Sequence, residues 1–203
     1  KNNNFKFIFI TNNSSETPDQ IKNKLENMLF NEINLNDIVS PLAVLKDHLK
    51  KLDKKIYVHG SYNLQKYVKT LSTELFPIDQ SEIILVGRTD SFSRYDVESI
   101  ADAFYRGVDV FAMNKDLTYP INDYEFEDGN GAIVREIESL VGSSINSFGK
   151  PDFFYSEYLL KQFPKIFAVI GDRVDTDVLL AKAIGTKSYL VNSSIKNYLD
   201  EDI

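Results

Sequence analysis

The sequence predicts an α/β fold, a doubly wound parallel sheet covered by helices on both faces. Three observations carry this reading. Short apolar runs rich in β-branched and aromatic residues alternate with segments of helical period along the whole chain. The helical segments bring their own start and stop residues. The apolar run 166–170 ends abruptly at Gly171 in an acidic turn that leads straight into a helix, the strand–turn–helix unit of such sheets.

The elements follow in order. Residues 5–10, Phe-Lys-Phe-Ile-Phe-Ile, suit a buried strand. Thr17-Pro18-Asp19-Gln20 has capping-box chemistry with proline at the first helical position, and Ile21, Leu25, Met28 and Leu29 share the face that follows. Ser40-Pro41 opens a second helix, with Leu42, Leu45, Leu49 and Leu52 at helical spacing. Residues 55–59 read as a strand, 61–71 as a helix and 82–86 as a strand. Ser93 caps a helix through Val97, Ile100, Ala101 and Phe104 that stops at Gly107. Residues 108–113 form the next strand, and 131–140 and 153–162 are helices. Strand 166–170, helix 176–184 and strand 188–191 complete the pattern.

Composition narrows the class of function. Of 203 residues, 43% are hydrophobic and 26% charged, as in ordinary globular proteins, and the net charge of −7 disfavours nucleic acid as a partner. The absence of cysteine excludes a thiol nucleophile or thiolate metal site. No apolar run reaches the length of a membrane span, so neither a membrane nor a nucleic acid is expected as partner. His48 is expected on a helix surface and His59 at a strand end; Tyr57, Tyr62 and Tyr67 are expected to pack.

Three polar segments interrupt the pattern. Thr11-Asn12-Asn13-Ser14-Ser15 follows the first strand, and its short side chains can bond the backbone or offer donors to an anion. Gly149-Lys150-Pro151 holds a lysine in a stiff loop before a helix; lysine binds phosphate as a point charge, although most lysines are simply solvated. Asp172, Asp175 and Asp177 crowd the turn after 166–170. Clustered carboxylates repel, and the usual compensation is a hard cation such as Mg²⁺. The same residues also suit a solvated turn in which Asp175 or Thr176 caps the helix.

In this order the three segments resemble the haloacid dehalogenase superfamily of phosphotransferases, in its p-nitrophenylphosphatase and phosphoglycolate phosphatase (NagD-like) branch. Phe9-Ile-Thr-Asn-Asn-Ser-Ser15 resembles its second motif, Gly149-Lys-Pro151 its third and Gly171-Asp-Arg-Val-Asp-Thr-Asp177 its fourth. Ile84-Leu-Val-Gly87, Ala112-Met-Asn-Lys-Asp116 with Thr118-Tyr-Pro120, and Gly129-Asn-Gly-Ala132 are similar to its large inserted cap.

The resemblance implies a Rossmann-like core from residues 1–50 and 148–203 with an α/β cap from 51–147. It implies Mg²⁺-dependent hydrolysis of a small phosphomonoester through an aspartyl-phosphate intermediate. Thr11, Asn12 and Asn13 would hold phosphate oxygens. Lys150 would neutralise phosphate and the attacking carboxylate. As a solvated lysine, it is expected to leave thermal stability unchanged when removed. Asp172 would ligate the metal and Asp177 hold its waters; Arg173 and Asp175 would brace the loop. Asn114, Asp116 and Asn130 suit either substrate contact or turn stabilisation. A cytoplasmic location and a homodimer through the cap are compatible with the resemblance. The paired-aspartate loop that supplies the family's nucleophile is not found, since no aspartate precedes Asp19. The chain by itself is therefore expected to be inactive, to expose the apolar edges of strands flanking a missing central one, and to want a further strand and helix after Val191. The alternative is a non-catalytic relative that binds phosphorylated ligands or protein partners. A dinucleotide-binding module is disfavoured by the lack of a Gly-x-Gly-x-x-Gly turn.

Overall fold

A computed structural model describes residues 6–28, 33–50, 53–71, 74–122 and 125–193. Phe5, Leu29 and Leu52, each expected in an element above, lie outside these residues, as does the chain after residue 193. The first half runs β1 (Phe9–Ile10), α1 (Pro18–Asn27), β2 (Ile38–Val39), α2 (Pro41–Leu49), β3 (Ile56–His59), α3 (Tyr62–Leu71) and β4 (Ile83–Val86). It continues α4 (Arg94–Tyr105), β5 (Asp109–Ala112), β6 (Thr118–Pro120), β7 (Phe126–Asp128) and α5 (Asn130–Val141). The chain then forms β8 (Asn146–Ser147), α6 (Phe153–Gln162), β9 (Ala168–Gly171), a π-helical turn (Val174–Val178), α7 (Leu179–Ala183) and β10 (Lys187–Leu190).

Four strands form a parallel sheet in the order β3-β4-β5-β8, with Ile84 opposite Tyr57 on one side and Val110 on the other. Every residue of β4 is buried, because helices cover both faces. Ile83 and Leu85 point into a cluster with Leu45 of α2, Leu64 and Val68 of α3, and Leu159 of α6. Ile84 and Val86 point the other way, against Val97 and Ile100 of α4 and Ile137 of α5. The first cluster joins Val39, Leu42, Phe148 and Leu180 to Val58, Leu85 and Met113, so residues 51–147 pack against the flanking segments through shared apolar side chains.

The flanking segments form two further parallel pairs, β1 with β2 and β10 with β9. Ile21 and Leu25 of α1 close over the first pair beside Ile38. β1 and β9 are not bonded to each other. An apolar cleft of about 990 Å³, lined by Ile8, Ile10, Ile166 and Val169 among others, lies between them, and Ile170 is 60% exposed. Among the described residues no helix is long and apolar enough to cross a membrane.

Capping follows the sequence signals. Thr17 with Gln20, and Ser93 with Asp96, form reciprocal capping boxes, and Ser40 accepts from the Ala43 N–H. Expected and observed structure differ at several points: β2, β6, β7 and β8 were not expected, and the π-helical turn Val174–Val178 stands where the helix over 176–184 was expected to begin. The pairs β1–β2 and β6–β7 involve very short strands that exist only by pairing. Neither Asp175 nor Thr176 caps the last helix. Tyr62 is 77% exposed and packs nothing, whereas the Tyr67 hydroxyl donates to the Leu42 carbonyl at 3.2 Å. His48 is not a surface residue: its ring is half-buried against Phe111, Phe148 and Phe154.

Both histidines bear on acid stability. Burial pushes the His48 imidazole below its ordinary 6.5, opposed by Asp109, Asp47 and Glu157; burial does the same at His59, opposed by Asp96. A base whose folded pKa is depressed loses its stabilising contribution as pH falls below its unfolded value, because only the unfolded chain takes up the proton. Thermal midpoints are therefore expected to fall between about pH 7 and pH 5, above the carboxylate range. His48→Leu is expected to flatten that slope. An unchanged slope would show that neither the burial nor its sign matters here.

Candidate active site

The polar segments meet at one end of the molecule. Thr11, Asn12, Asn13, Lys150, Asp172 and Asp177 all line a single open pocket of about 680 Å³. The turn after β1 is held from below by Tyr155 of α6, which is fully buried. The Tyr155 hydroxyl donates to the Val39 carbonyl at 2.8 Å and accepts from the Thr11 N–H at 3.2 Å. Burial pushes this phenol well above its ordinary range, so it stays a neutral donor. The Thr11 side-chain oxygen accepts from the Asn13 N–H at 3.0 Å, which orients the hydroxyl in the turn and leaves its proton for an acceptor in the pocket.

Asn12 differs from its expected role. Its side chain is buried and spent within the protein: Nδ2 donates to Asp116 Oδ1 at 2.7 Å and to the Lys150 carbonyl at 3.1 Å, while Oδ1 accepts from the Lys150 N–H at 2.6 Å. It has no amide hydrogen left for a phosphate oxygen, so only its backbone could serve one. Asn13 likewise turns inward: Oδ1 accepts from the N–H groups of Ser15 and Glu16, and Nδ2 donates to Glu16.

Lys150 is buried, against expectation. Its Nζ sits 2.5 Å from Asp177 Oδ1, and both side chains are 8% exposed. Asp177 Oδ2 accepts the N–H groups of Asp172 and Arg173, both at 3.2 Å, and so caps the π-helical turn. A side chain at Gly171 would collide with the Asp177 carboxylate, which is the physical reason for glycine at the end of β9. Arg173 grips Asp175 through Nε at 3.0 Å and Nη2 at 2.6 Å, and its Nη1 reaches the Thr118 carbonyl at 3.3 Å. Thr176, buried at 4% exposure, has no partner for its hydroxyl among the described residues.

The wall opposite comes from the segment after β5. Asn114 and Asp116 line the pocket, with Arg88 and Tyr119 further out. The Arg88 guanidinium lies over the Tyr119 ring at 4.0 Å and pairs with Glu127 at 3.1 Å. Burial pushes the Asp116 carboxyl up, opposed by the Asn12 hydrogen bond and by Arg173 and Lys150. Asn130 also borders the pocket, but its amide stabilises the turn: Nδ2 donates to the Val86 and Asn114 carbonyls. Of these groups, Asp116 and Asn114 were legible as polar residues suited to either substrate contact or turn stabilisation. Tyr155 carried no signal beyond its place on a helix face.

Two family models match the chain, one toward each end. The haloacid dehalogenase-like hydrolase family matches residues 1–74, and the HAD-hydrolase-like family matches residues 147–202. The chain belongs to the haloacid dehalogenase-like hydrolases. The turn Thr11–Asn13 lies within the first match, and Lys150, Asp172 and Asp177 lie within the second. An acid sugar phosphatase of Staphylococcus epidermidis is 24% identical across 98% of this chain and 78% of its own length. The chloroplastic phosphoglycolate phosphatase 1A of Arabidopsis thaliana is 26% identical across 94% of this chain and 60% of its own. The solved p-nitrophenyl phosphatase of Archaeoglobus fulgidus superposes with a TM-score of 0.80, at 25% identity, over 91% of this chain and 72% of that one. Measured against the curated relatives it matches, this haloacid dehalogenase-like chain spans from 41% to 78% of their lengths.

Proposed function

We propose that the complete protein is a phosphatase acting on a small phosphomonoester, with residues 51–147 as its cap and the remainder as its core. The observation that carries this is the convergence of Thr11, Asn12, Lys150, Asp172 and Asp177 on one pocket. The Thr11 hydroxyl and the Asn12 backbone N–H would hold phosphate oxygens, and Lys150 would neutralise their charge. Phosphoryl transfer asks mainly for positioning and charge neutralisation, which such groups supply.

The residues present fit magnesium. Among the described residues no group of three or more carboxylates or histidines forms a cage. Mg²⁺ is usually held by one or two carboxylates, water and substrate phosphate, and Asp172 with Asp177 behind it meets that need. Bound there, the ion would polarise a phosphoryl oxygen.

On this reading the carboxylates that line the pocket are already committed. Glu16 is engaged with Lys24 at 2.6 Å, Asp116 with Asn12, and Asp177 with Lys150, while Asp172 is assigned to the metal. The 203-residue chain is therefore expected to bind inorganic phosphate in a magnesium-dependent manner but to turn over no p-nitrophenyl phosphate. A version carrying a strand and an Asp-x-Asp loop ahead of residue 1 is expected to gain turnover. Steady turnover by the short chain would place the nucleophile within these residues and overturn the assignment. The engagement of these carboxylates also suits a non-catalytic phosphate binder; that reading stands if the longer version stays inactive.

A further inference from the structure

We propose that Asp116 is a positioning residue that ties the cap to the anion site. It fixes the amide of Asn12, and through Asn12 it sets the backbone from which Lys150 reaches the pocket. This rests on the reading of the pocket as a phosphate site.

The loop that carries Asp116 is itself rigidly held. Asn130 donates to the Asn114 carbonyl at 2.8 Å, and the Gly131 N–H donates to the Asp116 carbonyl at 2.8 Å. The loop then bonds the turn after β1 three times: Asn114 Nδ2 donates to the Asn12 carbonyl at 2.7 Å and to Ser14 Oγ at 3.4 Å, and Asp116 Oδ1 accepts from Asn12 Nδ2 at 2.7 Å. Gly149 lets the loops approach this closely, since a Cβ there would lie 2.8 Å from Asn114 Cβ and 3.1 Å from Asn12 Oδ1.

An asparagine amide is nearly symmetric in shape but not in hydrogen bonding. The Lys150 backbone sets the sense of the Asn12 amide, with its N–H on Oδ1 at 2.6 Å and its carbonyl on Nδ2 at 3.1 Å, and Asp116 takes the other Nδ2 hydrogen at 2.7 Å and holds the amide toward the cap. Without that acceptor the NH₂ loses a partner in a buried setting. Turning the amide over would then set donor against donor at Lys150. The pairing thus transmits the position of the cap to the backbone of the residue that meets phosphate.

The sign of the effect separates this from plain electrostatics. Asp116 is a carboxylate lining an anion pocket, so removing its charge alone should tighten phosphate binding. The positioning role demands the opposite for Asp116→Ala. Asp116→Asn, whose carbonyl oxygen can still accept from Asn12, should keep full affinity or gain some.

Calorimetric titration of inorganic phosphate into the full chain with Mg²⁺ tests this. Asp116→Ala is expected to bind roughly tenfold more weakly, the scale of one buried hydrogen bond lost. Asn12→Ala is expected to lose as much, and the double variant no more than either, because both remove one linkage. Should Asp116→Ala fail to fold, Asn12→Ala and Asp116→Asn decide: a loss in the first with retention in the second upholds the role. Phosphate binding by Asp116→Ala as tight as the wild type, equal losses in the Ala and Asn variants, or additive losses would overturn it. No phosphate binding by the wild type would overturn the anion-site reading itself and this role with it.

Discussion

Lys150→Ala is expected to cost about 3–5 kcal/mol of folding stability, read from the urea midpoint, because it strands a buried carboxylate. Asp177 is 8% exposed in its side chain and its Oδ1 has Lys150 at 2.5 Å. Removing the ammonium leaves that oxygen buried and unpaired. The double variant Lys150→Met, Asp177→Leu should lose less than Lys150→Ala alone, since a buried pair replaced by apolar groups carries no orphaned charge. In a complete enzyme the same Lys150→Ala change should also lower the rate by roughly 10²–10³-fold, the scale of one preorganised charged group. An unchanged urea midpoint would mean that the pair opens to solvent. That result would restore the picture of a simple surface lysine.

Asp172→Asn is expected to reduce magnesium affinity more than Asp177→Asn in calorimetry. Both oxygens of Asp177 are in use, Oδ1 by Lys150 and Oδ2 by the N–H groups of Asp172 and Arg173. It can orient the metal's waters without leaving these partners, a role whose removal costs about 10–100-fold in metal affinity. Direct ligation by Asp177 would require breaking the Lys150 bond. Asp177→Asn should in addition lower the thermal midpoint, because Nδ2 cannot accept from the backbone N–H groups that Oδ2 serves. Equal or reversed affinity losses would exchange the two roles.

What could be read in the chain beforehand was local. The strands 83–86 and 109–112, the boxed helix starts at Thr17 and Ser93 and the stop at Gly107 all follow from neighbours within a few residues. What escaped was set by distant partners. Ile38–Val39 is a strand only because Phe9–Ile10 lies beside it, and no two-residue run can announce that. Lys150 read as solvated because its carboxylate is 27 positions away. Asn12 read as a phosphate ligand because the motif supplies its residue type, while its amide is taken up by the Lys150 backbone and by Asp116, 138 and 104 positions on. The residues that line the pocket could therefore be picked out as a set. Their individual duties could not, since hydrogen-bond direction is a property of the assembled loops.

The apolar cluster shared by Val39, Leu42, Phe148 and Leu180 with Val58, Leu85 and Met113 has a consequence for protein engineering. Specificity in a two-part hydrolase is often sought by transplanting the part that faces the substrate. Crossover points at residues 50 and 147 would here separate apolar side chains that pack together, so a foreign insert would meet side chains shaped for another partner. Each mismatch of a methylene or two would carry the usual penalty of cavities or overpacking. Chimeras of this chain should therefore be joined along the loops that border the pocket, with the four-stranded sheet and the helices on both its faces inherited from one parent.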